Sequence, residues 1–530
     1  SNNVVSEEVV SPPILKGHNG RKSLRGGGDQ VYPVRYALVN VRGGAITKRK
    51  TEALDKGDLP IALNIPIKRK EFVQFIATSF LMFFFIIIFT MTRDTKDSLV
   101  VSNCGAESIP FLKLYGVMPA ATIFLIVYSK LSNSLGKKAL FYATLLPFFA
   151  FYTLFAFVLF PARDVIHFLP NQGQEVVGAA TAAVNLVRYW SFSLYFVVTE
   201  LYASAGVPLL FWQFANDVTS LEQAKRFYPL FAVVGNLAPI VSGKIMTTVI
   251  KRQTSNDDVA YGETLKVLAC VKLAVCGAIV ILHSLVRRMA MSSKEAATTS
   301  KPVRKKASLR ESFKELLQSR ELGAMATMVL CYNVCIELSE VLWKGILRER
   351  FTNKSEYMAF MGKFSQMVGT SAFMLQLLAP EIIRRLGWKG ASLSTPYAMG
   401  LLSVLFFASV ALGTDRIPLK TALLIGTCHN VVSKVTKYTL FDPCKEMAYI
   451  PLGPEAKVKG KAGVEVLGAR LGRSVGSASQ QMMVLVAGGT ILRCAPTLGM
   501  MYILAVIVWA RAVNILSEYV DGTGKAGKKK

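Results

Sequence analysis

Residues Phe441–Gly476 read FDPCKEMAYIPLGPEAKVKGKAGVEVLGARLGRSVG. The stretch joins two strongly apolar segments, yet it carries Lys445, Lys457, Lys459, Lys461, Arg470 and Arg473 against four acids. The cations continue into the next apolar run. Arg470 and Arg473 lie three residues apart and share a helical face; that helix is expected to continue through Gln480 and Gln481 into MMVLVAGGTIL. Holding a cation at mid-bilayer depth costs roughly 2.5–3.5 kcal/mol on insertion scales. Such residues tend to face a wet, functional interior, so the stretch implies a membrane scaffold that presents cations to an anion.

The apolar segments on either side extend over most of the chain. Of 530 residues 52% are hydrophobic, mean hydropathy is +0.39, and the apolar residues come in runs of membrane-spanning length. Net charge is +28, but Lys and Arg fall mostly between apolar runs, which is a topology signal rather than a nucleic-acid footprint. Twelve spans are expected: Phe72–Thr92, Phe111–Tyr128, Ala139–Phe160, Trp190–Ala215, Phe227–Ile250 and Val267–Val286, then Leu322–Trp343, Tyr357–Ala379, Ala391–Gly413, Leu419–Leu440, Val475–Ile491 and Thr497–Leu516. This divides the chain into a basic, disordered arm (1–66), a six-helix bundle (67–288), a basic linker (289–321), a second bundle (322–518) and a basic tail (519–530). Basic loops after spans 2, 4, 6, 8 and 10 lie on the side of both termini, the cytoplasm-like side. The halves echo each other: SNSLGKKAL answers IRRLGWKGA, and FANDVTSLEQAKRFYPLF answers FDPCKEMAYIPL. The fold class expected is therefore an all-α membrane protein with twelve transmembrane helices in two six-helix pseudo-repeats, major-facilitator-like.

Charges inside or beside the spans are the candidate site. TRDTKD at the end of span 1 puts Arg93 and Lys96 on one face and Asp94 and Asp97 on another; read alone it is a charged helix end at the headgroups. Glu200 stands about ten residues from either polar flank of span 4, and a carboxylate there must be protonated, paired or in a wet cavity. Glu340 and Lys344 form an i,i+4 pair in span 7, and Lys434 sits in span 10, with Lys437 near enough to its end to snorkel. Trp212 and Asn216, in FWQFAND, are candidates to stack on and hydrogen-bond a base, against the alternative of an interfacial tryptophan. Lys137, Lys138 and Arg384 read as gate or topology residues.

Enzymatic equipment is missing. No G-x-x-x-x-G-K-[ST], HExxH or Cys/His metal spacing occurs, and the four histidines are dispersed. The eight cysteines read as small hydrophobes. A carrier driven by gradients or exchange remains, with neither cofactor nor metal.

The sequence then resembles a known family, the plastid and intracellular-bacterial nucleotide transporters or ATP:ADP antiporters. The matching stretches are TRDTKDSLVV, GAESIPFLKLYGVMPAA, FWQFAND, KRFYPLF, EVLWK, KYTLFDPCKEMAYIPL and KVKGKA. The Gly-rich arm is similar to that of members from algae with secondary plastids, such as diatoms. The resemblance implies exchange of ATP for ADP, with phosphate or other nucleotides as further substrates, across a plastid inner envelope by a monomer, and transport residues at Lys96, Glu200, Glu340 and Arg473. A bacterial inner membrane is the alternative location. Where the family pattern is Gly-Lys-Ser-Gly-Gly, this chain has Gly472-Arg473-Ser474-Val475-Gly476, so Val475 is expected to narrow helix packing or alter selectivity. The expected clamp on the phosphates is Arg93, Lys96 and Arg473, assisted by Lys434 or Lys445. A proton-coupled uniporter or symporter with Glu200 as relay is the second reading, and a membrane enzyme acting on nucleotide or lipid phosphate the third.

Overall fold

The computed structural model describes residues 60–62, 65–167, 179–253, 258–294, 319–413, 415–450, 464, 468–487 and 490–526. Apart from a two-stranded antiparallel hairpin, Pro60–Ala62 with Ile65–Lys68, the described chain is helical. Each apolar run falls on a helix, because a spanning segment must satisfy its backbone polar groups internally. Nine helices among the described residues are long and apolar enough to cross a membrane. The longest, Lys354–Ala411, is broken at Gly387, where φ is +68° and the backbone is not helical. Leu419–Thr436 and Ala469–Ala487 are helical without belonging to the nine. Of the cysteines, six are buried and none is in a disulfide.

The first helix departs from expectation. It runs from Phe72 to Cys104, well beyond Thr92, and Asp94, Lys96 and Asp97 are buried within it. The charged hexapeptide is therefore not a headgroup cap; its charges are neutralised by one another and by other helices, so the helix continues through them.

Four π-helical turns whose bounds fall wholly among the described residues interrupt the helices: Leu112–Val117, Phe155–Leu159, Gly206–Phe211 and Lys437–Phe441. Each has a proline inside it or just after it, namely Pro119, Pro161, Pro208 and Pro443. Proline offers no N–H to the carbonyl four residues back, and widening the turn is one way to satisfy that carbonyl.

The buried side chains form two clusters. One draws on Ile67 to Val286, together with Met358, and is rich in phenylalanine and tyrosine; the other draws on Leu322 to Leu516. The second also takes in Val100, Val101, Cys104, Ile109 and Leu112. The two parts of the chain are thus packed together at the end opposite the basic loops. Polar contacts there reinforce the joint. Lys354 Nζ lies 2.8 Å from Asp258, Arg348 lies 3.8 Å from Glu107, and the Ile491 N–H donates to Glu107 at 3.1 Å. Backbones also meet closely, since a methyl group built on Gly243 would overlap the Gly362 carbonyl. Towards the basic-loop end, by contrast, helix Met118–Ser134 has no buried residue.

Overpacking this seam costs about 1–3 kcal/mol. Gly243→Ala is expected to lower the detergent-solubilised Tm by several degrees, whereas Gly136→Ala, where a methyl meets open space, should leave it unchanged. Thermal unfolding of the two variants checks the difference.

Candidate functional site

Acids and bases alternate along one connected chain at the centre of the protein. Glu200 Oε1 is 3.1 Å from Lys96 Nζ, and Lys96 Nζ is 2.9 Å from Asp97 Oδ1. Asp97 Oδ2 is 2.9 Å from Lys344 Nζ, which is 3.2 Å from Glu340 Oε1; Glu340 Oε2 is 3.5 Å from Lys434 Nζ. The chain links helices Phe72–Cys104, Trp190–Ala205, Arg320–Arg350 and Leu419–Thr436. Lys96 also lies over the Phe196 ring, 3.8 Å from its centroid, an added attraction for a cation withdrawn from water.

Two branches extend it. Arg93 Nε donates to Asp94 Oδ1 at 2.9 Å and its Nη2 to Ser365 Oγ at 2.8 Å, while the Ser365 hydroxyl donates to Asp94 Oδ2 at 2.6 Å. Lys113, carried on the Leu112–Val117 π turn, donates to both oxygens of Glu337 at 2.7 and 2.6 Å. The charges of Lys113 and Arg473 act on Glu200, and those of Lys113 and Lys96 on Glu340. One electrostatic field therefore joins all these groups.

Arg473 is placed by glycine. Gly468, Gly472 and Gly476 recur every fourth residue, so their helix lies close against Arg320–Arg350. A methyl group on Gly472 would sit 2.6 Å from the Leu330 carbonyl, and one on Gly476 would sit 2.7 Å from Glu337 Cβ. Gln480 then donates to the Glu337 carbonyl at 2.9 Å. Arg473 itself is exposed, and no carboxylate among the described residues lies within ion-pair distance of it. Val475 is exposed as well, so it does not narrow this helix packing; Gly476 makes the close approach.

Arg93, Lys96, Glu200, Glu340, Lys344 and Lys434 are thus brought together, with Arg473 beside them. Lys445 is not part of the chain of pairs; it is buried near Asp442, 3.6 Å away. Trp212 and Asn216 lie elsewhere. The Trp212 ring packs edge-on to Tyr228 at 4.9 Å, and Asn216 accepts from the Tyr228 hydroxyl at 2.7 Å. Lys137 pairs with Asp217 at 2.7 Å and Arg384 with Glu381 at 2.6 Å. Lys457, Lys459 and Lys461 fall outside the described residues. Sequence reading missed Lys113 and the part played by Asp97; a lysine just inside span 2, followed by Gly116 and Pro119, was the available signal for the first.

Every arrangement of this kind has a chemical consequence. Each carboxylate accepts from an ammonium or guanidinium that a phosphate oxygen would satisfy equally well, by charge-assisted bonds stronger than neutral ones. No cluster of metal ligands occurs among the described residues.

Comparison with known proteins identifies the family and the fold. The family described as TLC ATP/ADP transporter matches residues 56–519. ADP,ATP carrier protein 1 of Chlamydia muridarum is 39% identical, covering 83% of this chain and 87% of its own length. The chloroplastic ADP,ATP carrier protein 1 of Arabidopsis thaliana is 38% identical, covering 82% and 72%. Among solved structures a D-xylose–proton symporter superposes with a TM-score of 0.53 at 13% identity, covering 83% of this chain and 97% of that one. A POT family transporter gives 0.50 at 12%, covering 87% and 99%. At that identity the likeness concerns the fold, which is all-helical and major-facilitator-like.

Breaking a buried pair by removing one partner costs about 3–5 kcal/mol. Lys344→Met is therefore expected to destabilise the solubilised protein severely, and Asp97→Asn/Lys344→Met to recover part of the loss. Denaturation of the two single variants and the double variant reads the coupling.

Proposed function

The chain belongs to the TLC ATP/ADP transporter family, and on that premise we propose that it exchanges ATP for ADP across a membrane by alternating access. The observation that carries the mechanism is the alternating chain of charges between Glu200 and Lys434. Lys96 and Arg93, with Arg473 and Lys434, clamp the phosphates, and Lys113 joins them. In the empty carrier Glu200, Asp97 and Glu340 occupy those cations. A nucleotide entering from the basic-loop end displaces carboxylates from their partners, and the freed acids return when it leaves. Reorientation without cargo is disfavoured by the intact pairs, so transport is exchange.

The architecture we propose is twelve spans in two groups of six, residues 67–288 and 322–518, about the linker 289–321. It is supported by the break at Gly387, which divides Lys354–Ala411 into two lengths, and by the helices Leu419–Thr436 and Ala469–Ala487, which add two more to the count. The packed end opposite the basic loops and the exposed Met118–Ser134 helix support a state open to the basic-loop side. A monomer in a plastid envelope is our reading of the location, in keeping with the chloroplastic relatives; relatives from intracellular bacteria make a bacterial membrane the second possibility. Phosphate and other nucleotides are further candidate substrates.

Proteoliposomes preloaded with ADP are expected to take up labelled ATP, and buffer-loaded ones to take up little. Lys96→Gln should lower the exchange by about 10–100-fold, the worth of a lost charge-assisted hydrogen bond of roughly 1.5–3 kcal/mol. Uptake that proceeds into buffer-loaded vesicles and collapses with a protonophore would replace exchange by proton coupling.

A further inference from the structure

We propose that Tyr438 is the surface on which the base of the transported nucleotide stacks, so that the site favours purine nucleotides; this rests on the nucleotide-exchange reading above. A phosphate clamp alone does not hold a base, and Trp212, the candidate for that role, packs in T-shaped contacts with Tyr228 and Phe211. Tyr438 is placed differently. It lies four residues beyond Lys434, about one helical turn, on the π turn Lys437–Phe441. Lys434 reaches Glu340 at the centre, and Lys437, whose ammonium lies over the Tyr438 ring, is 5.9 Å from the ring centroid of the buried Tyr332. The Tyr438 phenol lies within electrostatic range of the Arg93 guanidinium, which comes from the other half of the chain.

The ring is held and yet open. Lys437 Nζ lies 4.7 Å from its centroid and is itself 3.1 Å from Asp442 Oδ2, which fixes one side of the ring by a cation–π contact. Tyr438 nevertheless remains 43% exposed, between the buried Thr439, Leu440 and Phe441 on one side and the buried Thr436 on the other. A phenol ring offers flat contact area with few rotatable bonds to freeze. Stacking accepts any base but rewards the larger purine surface. With the phosphates on Lys96 and Lys434, the base falls one turn further along the same helix.

The test is equilibrium binding of ATP, CTP and inorganic tripolyphosphate to the purified full chain in detergent. Tyr438→Ala should weaken ATP binding by about 5–100-fold, the range expected for loss of one stacked base. It should weaken CTP less and leave tripolyphosphate unchanged, and Tyr438→Phe should match the wild type. Tyr438→Leu, which fills space without an aromatic face, repeats the measurement should the alanine variant not fold. Unchanged ATP affinity, an equal loss for tripolyphosphate, or a base-dependent loss in Trp212→Ala in place of Tyr438→Ala overturns the inference while leaving exchange intact. A wild-type chain that binds neither ATP nor tripolyphosphate overturns both.

Discussion

An ammonium ion between two carboxylates, out of bulk water, is stable only while all three charges are present. Lys96 stands between Glu200 and Asp97, and Lys344 between Asp97 and Glu340. Each interior member has two opposite neighbours, so the desolvation penalty of every charge is offset locally and is exposed as soon as one partner leaves. Such a chain adds little net stability compared with apolar packing of the same volume. Its value is that an incoming anion can take the place of the carboxylates without leaving any cation bare. Binding energy is then spent on exchanging partners, which ties occupancy of the site to the arrangement of the helices that bear it.

Local sequence chemistry puts these charges where they meet. Proline widens turns that then carry Lys113 and Lys437, and glycine at every fourth position draws the Arg473 helix against the one that bears Glu337, Glu340 and Lys344. Neither device is costly, because the groups proline leaves unbonded find partners in the wider turn and the glycines lie in contacts too close for any side chain. The closed end relies on the same economy at Gly243 and Gly362, where two backbones replace side-chain packing.

The positions of the helices were legible in the sequence, since apolar runs of spanning length have no alternative in a bilayer. So was the need of Glu200 and Glu340 for cationic partners, because a charge deep in an apolar run must find an opposite one. Beyond the i,i+4 pair of Glu340 and Lys344, the partner that each charge finds is not legible. The Asp97–Lys344 pair joins positions far apart in the chain, and no local pattern specifies it. TRDTKD, taken alone, has the composition of a headgroup region, yet its acids and bases match and neutralise each other and the helix runs on to Cys104. Trp212 is a candidate base platform in the sequence, against an interfacial tryptophan; the structure adds that Tyr228, from the next helix, packs edge-on to it.

Lys434 and Lys445 show what a single wide turn does to a helical wheel. Eleven residues apart, they would share a stripe on an unbroken α-helix, where each step rotates by about 100°. The Lys437–Phe441 turn absorbs one residue more than an α turn does, and everything after it slips in phase by about one step. Lys434 consequently reaches Glu340 while Lys445 turns aside to Asp442. A periodicity plot drawn across Asp442-Pro443 as though the helix were uniform would exchange lipid-facing for inward-facing positions from there on, and the same holds across Pro119. For chains of this kind, face assignments are best restarted after each proline.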